Sequence, residues 1–361
     1  MATDTPRELI VPLFIPHAGC PHHCIFCNQH AVTGQGSLSS PAMPTQASME
    51  AEIERWLGWS ARRSPVEISF YGGTFLGLPV EVMTACLDLA HRYVKAGRVH
   101  GIRFSTRPDT VTESVLDLLA AYPVTTVELG AQSMEDAVLI ASTRGHRAAD
   151  TATAMVRLKE RGYRTILQTM VGLPGETREL WGSSLDRMLD LSPDGIRIYP
   201  TVVLSGSGLE ALWRSGQYTP LALEEAVRRS KEAWMGATQK GIKVIRMGLQ
   251  ESEEMRLARI CAGPHHPAFG HLVHSARFLD MAEALSQRAF SFGDSPVFRV
   301  HPRSISRLHG QNNGNLVSLK ARYKLNEIRV TADETLEETA LASGGWLVDS
   351  VRQIFAKEAE S

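Results

Sequence analysis

Val66-Glu-Ile-Ser-Phe-Tyr-Gly-Gly-Thr-Phe75, with the helical pattern that follows it over 79–97, decides the fold. Val66–Tyr71 reads as a strand, apolar and β-prone and ending at a glycine pair. Val82, Met83, Cys86, Leu87 and Leu89 then recur at helical spacing. A second strand begins at Ile102, so the unit is strand, loop, helix, strand, which is a parallel βαβ crossover. Outward from it the alternation continues. Strands are expected at Leu9–Ile15, Val66–Tyr71, Ile102–Thr106, Val124–Leu129, Ile166–Val171, Ile196–Pro200 and Lys243–Met247. Helical patterns lie near 49–60, 79–97, 111–121, 148–161, 177–190 and 221–239. In the last, Leu223, Ala226, Val227, Ser230 and Trp234 share a face, with Glu224, Arg228 and Lys231 outside.

Six or more such units imply an α/β fold, a partial (β/α)6-type TIM barrel more than an open sheet. In barrels of this kind chemistry sits at the C-terminal ends of strands. The alternation stops near residue 250. The chain is therefore expected to divide into a core barrel over 1–250 and a C-terminal α+β extension over 251–361. In the extension Val297–Val300 and Glu327–Thr331 read as strands, Gly310–Asn315 as a polar turn, and the end as a closing helix. Gly34–Pro44 is low in complexity and reads as an ordered loop or lid.

The composition is that of an ordinary globular protein, 43% apolar and 21% charged over 361 residues. No stretch approaches the roughly 20 apolar residues of a membrane span. Ala18-Gly19-Cys20 resembles a lipoprotein cleavage site, but Asp4, Arg7 and Glu8 precede it and Pro12 and Pro16 interrupt the apolar run, so a signal peptide is rejected. A net charge of −1 supplies no global field for nucleic acid. A cytoplasmic location is expected.

Three of the five cysteines fall in Cys20-Pro-His-His-Cys24-Ile-Phe-Cys27, directly after the first strand. That distribution belongs to a metal site in a reducing compartment, not to a disulfide framework. Three thiolates can ligate three irons of a cubane cluster and leave the fourth iron open, as catalysis requires. A zinc knuckle completed by His17, His22, His23 or His30 is the alternative on spacing alone. Cys86 reads as a buried inert thiol in its helix, and Cys261 has no assigned role.

Five motifs in order give this loop its context: the cysteine loop, Tyr71-Gly72-Gly73-Thr74-Phe75, Ser105-Thr-Arg-Pro108-Asp109, Glu128-Leu-Gly-Ala-Gln132-Ser133 with Arg144-Gly-His146, and Gly172-Leu-Pro-Gly-Glu176. With them, residues 9–250 resemble the radical S-adenosylmethionine (SAM) superfamily, specifically the radical SAM domain of the Elongator catalytic subunit. Ile198-Tyr199-Pro200-Thr201 is similar to that branch too. The oxygen-independent coproporphyrinogen oxidases resemble the chain more distantly. The resemblance implies a 4Fe–4S cluster on Cys20, Cys24 and Cys27, and SAM bound at the open iron. It implies that the Gly72–Gly73 loop holds the SAM amino group, that Phe26 packs near adenine, and that Ser105 contacts SAM. Gln132 is expected at the ribose, and Arg144 at the SAM carboxylate, which its planar fork suits. Met170–Glu176 supplies a wall for adenine, and Tyr199 points into the barrel mouth. Glu128 reads equally as a structural acid paired with Arg107 or Arg197.

The implied activity is reductive cleavage of SAM to a 5′-deoxyadenosyl radical that abstracts hydrogen from a substrate. An external electron donor of the flavodoxin or ferredoxin type is implied, and no side chain is required as a general base. tRNA is one candidate substrate; a small anionic metabolite such as a tetrapyrrole is another. A non-catalytic metal- or RNA-binding module is the alternative from another class. Elongator subunits carry an acetyltransferase domain after the barrel, and the residues after 250 are too few for one, so a stand-alone form is expected. In its place Cys261-Ala-Gly-Pro-His265-His266-Pro-Ala-Phe269-Gly270-His271 is expected to border the substrate space or to close the barrel edge, with Arg246 as a further anion contact.

Overall fold

The computed structural model describes residues 8–15, 18–21, 23–28, 43–59, 64–249, 260–291, 293–349 and 355–357. His17, His22, His30 and residues 34–42 of the expected loop lie outside them. The chain divides into two compact units, residues 1–220 with 250–263, and residues 221–249 with 264–361.

In the first unit β1 (Leu9–Phe14), α1 (Gln46–Gly58), β2 (Val66–Tyr71), α2 (Val80–Lys95), β3 (Gly101–Thr106), α3 (Glu113–Leu119) and β4 (Val124–Gln132) follow the expected order. After them come α4 (Asp136–Ala141), α5 (Ala148–Glu160), β5 (Arg164–Val171), α6 (Arg178–Asp190), β6 (Gly195–Pro200) and α7 (Gly208–Arg214). Strands β1 to β6 pair in parallel, each beside its neighbour in sequence. This is the α/β partial barrel that the alternation implies.

Hydroxyl caps start several helices: Thr45 accepts from the Ser48 amide, Thr112 from Val115, Thr177 from Leu180 and Ser207 from Glu210. The helix α2 buries Met83, Cys86, Leu87, Leu89 and Ala90, the face its spacing predicts. Cys86 is buried there as an inert thiol, its pKa pushed up to about 11 by burial.

The strand register sorts side chains onto two faces. One face carries Val11, Leu13, Ile68, Phe70, Ile102, Phe104, Val127 and Leu129, all fully or nearly fully buried. The other carries polar groups at matching positions: Ser69, Arg103 and Thr126 in one row, and Ser105 beside Glu128 in the next. Gln168 beside Arg197 and Met170 beside Tyr199 continue it. A strand reverses face at every residue, so this inner polar face follows from spacing alone.

The second unit contains a helix over Leu223–Gln239, a strand over Lys243–Met247 and a 21-residue helix over Phe269–Ala289. Ala226, Val227 and Trp234 pack on Phe269 and Val273. Phe278, Met281 and Leu285 cover Phe298, Val300, Leu341 and Val348 of a five-stranded mixed sheet. Two expectations are corrected here. Among the described residues the end of the chain is strand and not the expected closing helix: Ala340–Ser343 and Trp346–Asp349 form an antiparallel hairpin, and Phe355–Lys357 pairs with it. Gly344 and Gly345 both have positive φ, 57° and 75°, which is what a two-residue hairpin turn with the twist of its strands needs. The histidine-rich segment is not one loop either, because Phe269 is buried and opens the long helix, placing His271 inside it.

Candidate functional site

The site begins where β1 ends. Cys20, Cys24 and Cys27 are half-buried and in no disulfide. Their loop is stitched to three others. The Thr74 amide donates to the Ala18 carbonyl at 2.9 Å, the Ile25 amide to Ser142 at 3.2 Å, and the Leu209 amide to the Ile25 carbonyl at 2.7 Å. Asn28 Nδ2 donates to the Ser205 carbonyl at 2.7 Å. The cysteine loop is therefore fixed at many points, as a rigid ligand set should be.

Glycines make the closest of these approaches. A Cβ on Gly73 would lie 2.4 Å from the Ala18 carbonyl oxygen and 2.6 Å from that of Ile15. A Cβ on Gly19 would lie 2.2 Å from the Thr74 carbonyl oxygen, and Gly19 has φ of +70°. Gly72 has φ of 89°. Only glycine lets the two backbones touch here. Phe75 then locks the loop from behind, stacked between Phe70 and Phe104 at ring separations of 4.8 and 4.7 Å. Gly72 and Gly73 are thus brought against the cysteine loop. The buried Thr74 adds a direct link, its hydroxyl 3.3 Å from the Cys20 sulfur. The roles of Gly19 and Thr74 escaped the sequence reading, although a glycine directly before the first cysteine of the loop was a usable signal.

At the ends of β3 and β4 the polar face resolves into two groups. Glu128 is a structural acid: its carboxylate accepts from Arg103 Nε at 2.5 Å, from Arg197 Nη2 at 3.0 Å and from the Tyr71 hydroxyl at 2.7 Å, and it lies 2.7 Å from Arg197 Nε as an ion pair. Burial and the Glu128 charge push the Tyr71 phenol above its usual range. Burial works against the Arg197 charge, but Glu128 together with Tyr199 and Tyr71 more than offsets it and the guanidinium stays protonated. Of the two expected partners, Arg197 pairs with Glu128 and Arg107 does not, since Arg107 forks onto Asp109 at 2.8 and 3.0 Å. Burial alone would raise the Asp109 carboxyl, and Arg107 holds it below the usual range instead. Ser105 sits half-buried beside Glu128 in the strand register.

The second group surrounds Gly130. The β4–β5 register shifts between Leu129 and Gln132, and Gln132 has φ of +65°. Its side-chain oxygen accepts from Gln168 Nε2 at 3.2 Å. Arg144 donates from Nη2 to the Gly130 carbonyl at 2.6 Å and from Nη1 to the Cys24 sulfur at 3.0 Å. A Cβ on Gly130 would meet Gln132 Nε2 at 2.9 Å and Arg144 Nη2 at 3.2 Å, so its absence lets both side chains converge. Arg107 Nη1 donates to the Arg144 carbonyl. His146 is buried next to them, and burial with the charges of Arg144 and Arg107 lowers its pKa to about 3.

The third wall is apolar. Phe26, Met170 and Tyr199 pack in one cluster with Val138, Leu173 and Leu180. The Tyr199 hydroxyl accepts from Arg197 Nη1 at 3.2 Å. Gly172, at φ of 85°, donates its amide to Glu176 and accepts from the Tyr218 hydroxyl, each at 2.7 Å, which shapes the turn after β5. Phe26, Gly72, Gly73, Arg144, Met170 and the three cysteines therefore belong to linked contacts, with Gln132 beside Arg144 and Tyr199 beside Met170. Ser105 has no such link among the described residues and stands a strand away, beside Glu128 in the register.

The donor set fits a cubane. Among the described residues no three His, Cys, Asp or Glu side chains are placed to share one metal ion. A cubane asks for something else, three thiols spaced along a loop with one for each iron. His265 and His266, with Arg246, lie in the second unit. His266 Nδ1 accepts from the Ala268 amide at 3.1 Å, and the His271 ring pairs with the Ser275 hydroxyl at 3.3 Å. Among the described residues no helix is long and apolar enough to cross a membrane.

Comparison with known proteins agrees with this geometry. Residues 14–188 match the Radical SAM superfamily and residues 193–277 the Radical_SAM C-terminal domain. A tRNA uridine(34) acetyltransferase from Dehalococcoides mccartyi is 31% identical over 231 residues, covering 56% of this chain and 50% of the relative. Elongator complex protein 3 of Saccharomyces cerevisiae is 28% identical, covering 56% of this chain and 43% of its own. The chain thus spans about half the length of the curated relatives it matches. The solved structure of Elp3 from the archaeon Methanocaldococcus infernus superimposes with a TM-score of 0.61 at 21% identity, over 79% of this chain and 69% of that one, and shows the shared fold.

Proposed function

Because the chain belongs to the radical SAM superfamily, an enzyme family that uses a 4Fe–4S cluster and SAM, we propose that it holds the cluster on Cys20, Cys24 and Cys27 and acts by hydrogen abstraction on tRNA. The observation that carries the cofactor part is the joining of the cysteine loop to Thr74 and to Arg144. These contacts bring the ends of β1, β2 and β4 to one place, which is where barrel chemistry is built.

When bound, the cluster and SAM supply reductive cleavage of the C5′–S bond and a 5′-deoxyadenosyl radical. The protein's part is positioning. Gly72 and Gly73 present backbone to the SAM amino group without a Cβ in the way. Arg144, whose buried Nε has no hydrogen-bond partner among the described residues, binds the carboxylate. Gln132, held by Gln168, offers an amide to the ribose. Phe26, Met170 and Tyr199 form an apolar wall against which adenine lies. An external flavodoxin- or ferredoxin-type donor supplies the electron.

The tRNA part is supported by relatives named for tRNA uridine(34), at 27–31% identity. The test is 5′-deoxyadenosine formation by the reconstituted protein with and without bulk tRNA, followed by mass analysis of the tRNA nucleosides. Stimulation by intact but not nuclease-digested tRNA, with a new nucleoside mass, is expected. Stimulation by a small-molecule extract alone would remove tRNA and leave the enzyme class standing.

A further inference from the structure

Arg144 is 6% exposed, and no ion pair to a carboxylate is formed by it among the described residues. A buried cation without a counter-charge is costly, so its partner must come from elsewhere. The group it does face is the sulfur of Cys24, 3.0 Å from Nη1. Its other arm is tied to the Gly130 carbonyl at 2.6 Å, and its own carbonyl is gripped by Arg107, which Asp109 holds in turn. The guanidinium is therefore anchored independently of any SAM carboxylate.

We propose that Arg144 is a positioning residue for the cluster itself: its N–H bond to the Cys24 thiolate and its charge raise the reduction potential of the 4Fe–4S centre. The proposal rests on the reading of Cys20, Cys24 and Cys27 as the cluster ligands. Cluster potential follows net charge and hydrogen bonds to the sulfurs. One-electron reduction makes the centre more negative, so a fixed cation and an N–H donor at a ligand sulfur favour the reduced state. A guanidinium suits the task, because its fork serves Cys24 and Gly130 at once. A lysine ammonium in its place brings charge without that fork.

The experiment is a redox titration of the reconstituted full chain without SAM, monitored by electron paramagnetic resonance, with iron counted first. About four irons per chain in the parent is expected; absence of a cluster there would defeat the ligand reading and with it the premise. In cluster-loaded Arg144→Met the reduced-to-oxidised ratio at fixed potential should fall about tenfold, a midpoint lower by about 59 mV. Arg144→Lys should fall less. Gly130→Ala, which crowds Nη2 and leaves Arg144 in place, should shift in the same direction, and it serves as the test if the Arg144 variants do not fold. Parental midpoints in the variants that load iron, with only the response to added SAM altered, would overturn the proposal and leave Arg144 as a carboxylate clamp alone.

Discussion

The hydroxyl of Thr74 lies 3.3 Å from the sulfur of Cys20, across 54 residues of sequence. It ties the first cysteine of the loop, a proposed cluster ligand, to the glycine turn after β2. Thr74→Val keeps the β-branched shape and removes the hydroxyl. A hydrogen bond of this kind contributes about 1 kcal/mol. The variant should fold and load iron but lose its cluster to a chelator about fivefold faster, read from the decay of its visible absorbance. An unchanged rate would mean that the contact does not hold the ligand.

Gly73 is where two backbones meet. Because Gly73→Ala drives a Cβ to 2.4 Å from the Ala18 carbonyl oxygen, the cysteine loop and the glycine turn must separate. The apoprotein should be destabilised by more than about 1 kcal/mol in urea unfolding, and iron loading should fall with it. Parental stability and loading would show that the contact yields freely.

Glu128 is the shared counter-charge of Arg103 and Arg197 inside the strand layer. Glu128→Gln removes it, leaving Arg103 with Glu67 at 3.3 Å and Arg197 with no acidic partner among the described residues. Breaking a buried pair from one side costs about 3–5 kcal/mol, and the urea midpoint should drop accordingly. A loss within about 0.5 kcal/mol, the range of surface substitutions, would contradict the structural role given to this acid.

His146 gives the fold a pH dependence. Its pKa drops from 6.5 to about 3 on folding, through burial first and then the nearby Arg144 and Arg107 charges. Below pH 6.5 the unfolded chain binds the proton and the folded chain does not. The stabilising contribution is therefore complete above pH 6.5 and is lost as the pH falls from there toward 3. Linkage puts the loss at about 2 kcal/mol by pH 5. The unfolding free energy of the apoprotein should fall more between pH 7 and 5 than that of His146→Gln. Parallel profiles would contradict the neutral buried imidazole.

Much of this was legible in the sequence, for physical reasons that differ from place to place. The strands and helices of the first unit announce themselves by period, and β2 and α2 fall within a residue or two of their expected bounds. The cysteine loop is legible because thiolate chemistry restricts what such a spacing can do. The partner of Glu128 was half legible: Arg103 shares its face by the period of two, but which of several arginines reaches it depends on sheet register. The Arg144 to Cys24 contact joins residues 120 apart, and no local pattern reports it. The terminal hairpin was missed although Gly344-Gly345 carries its turn, because four-residue strands are too short to outweigh a helical reading.

The central claim is that the three cysteines hold a cluster that cleaves SAM. It is tested most directly by anaerobic reconstitution of the parent and of Cys24→Ala, with SAM and dithionite added and 5′-deoxyadenosine quantified against iron content. The parent should carry about four irons and form 5′-deoxyadenosine, and the variant should form none. A parent that loads iron fully and forms no 5′-deoxyadenosine, or a variant that forms as much as the parent, would contradict the account.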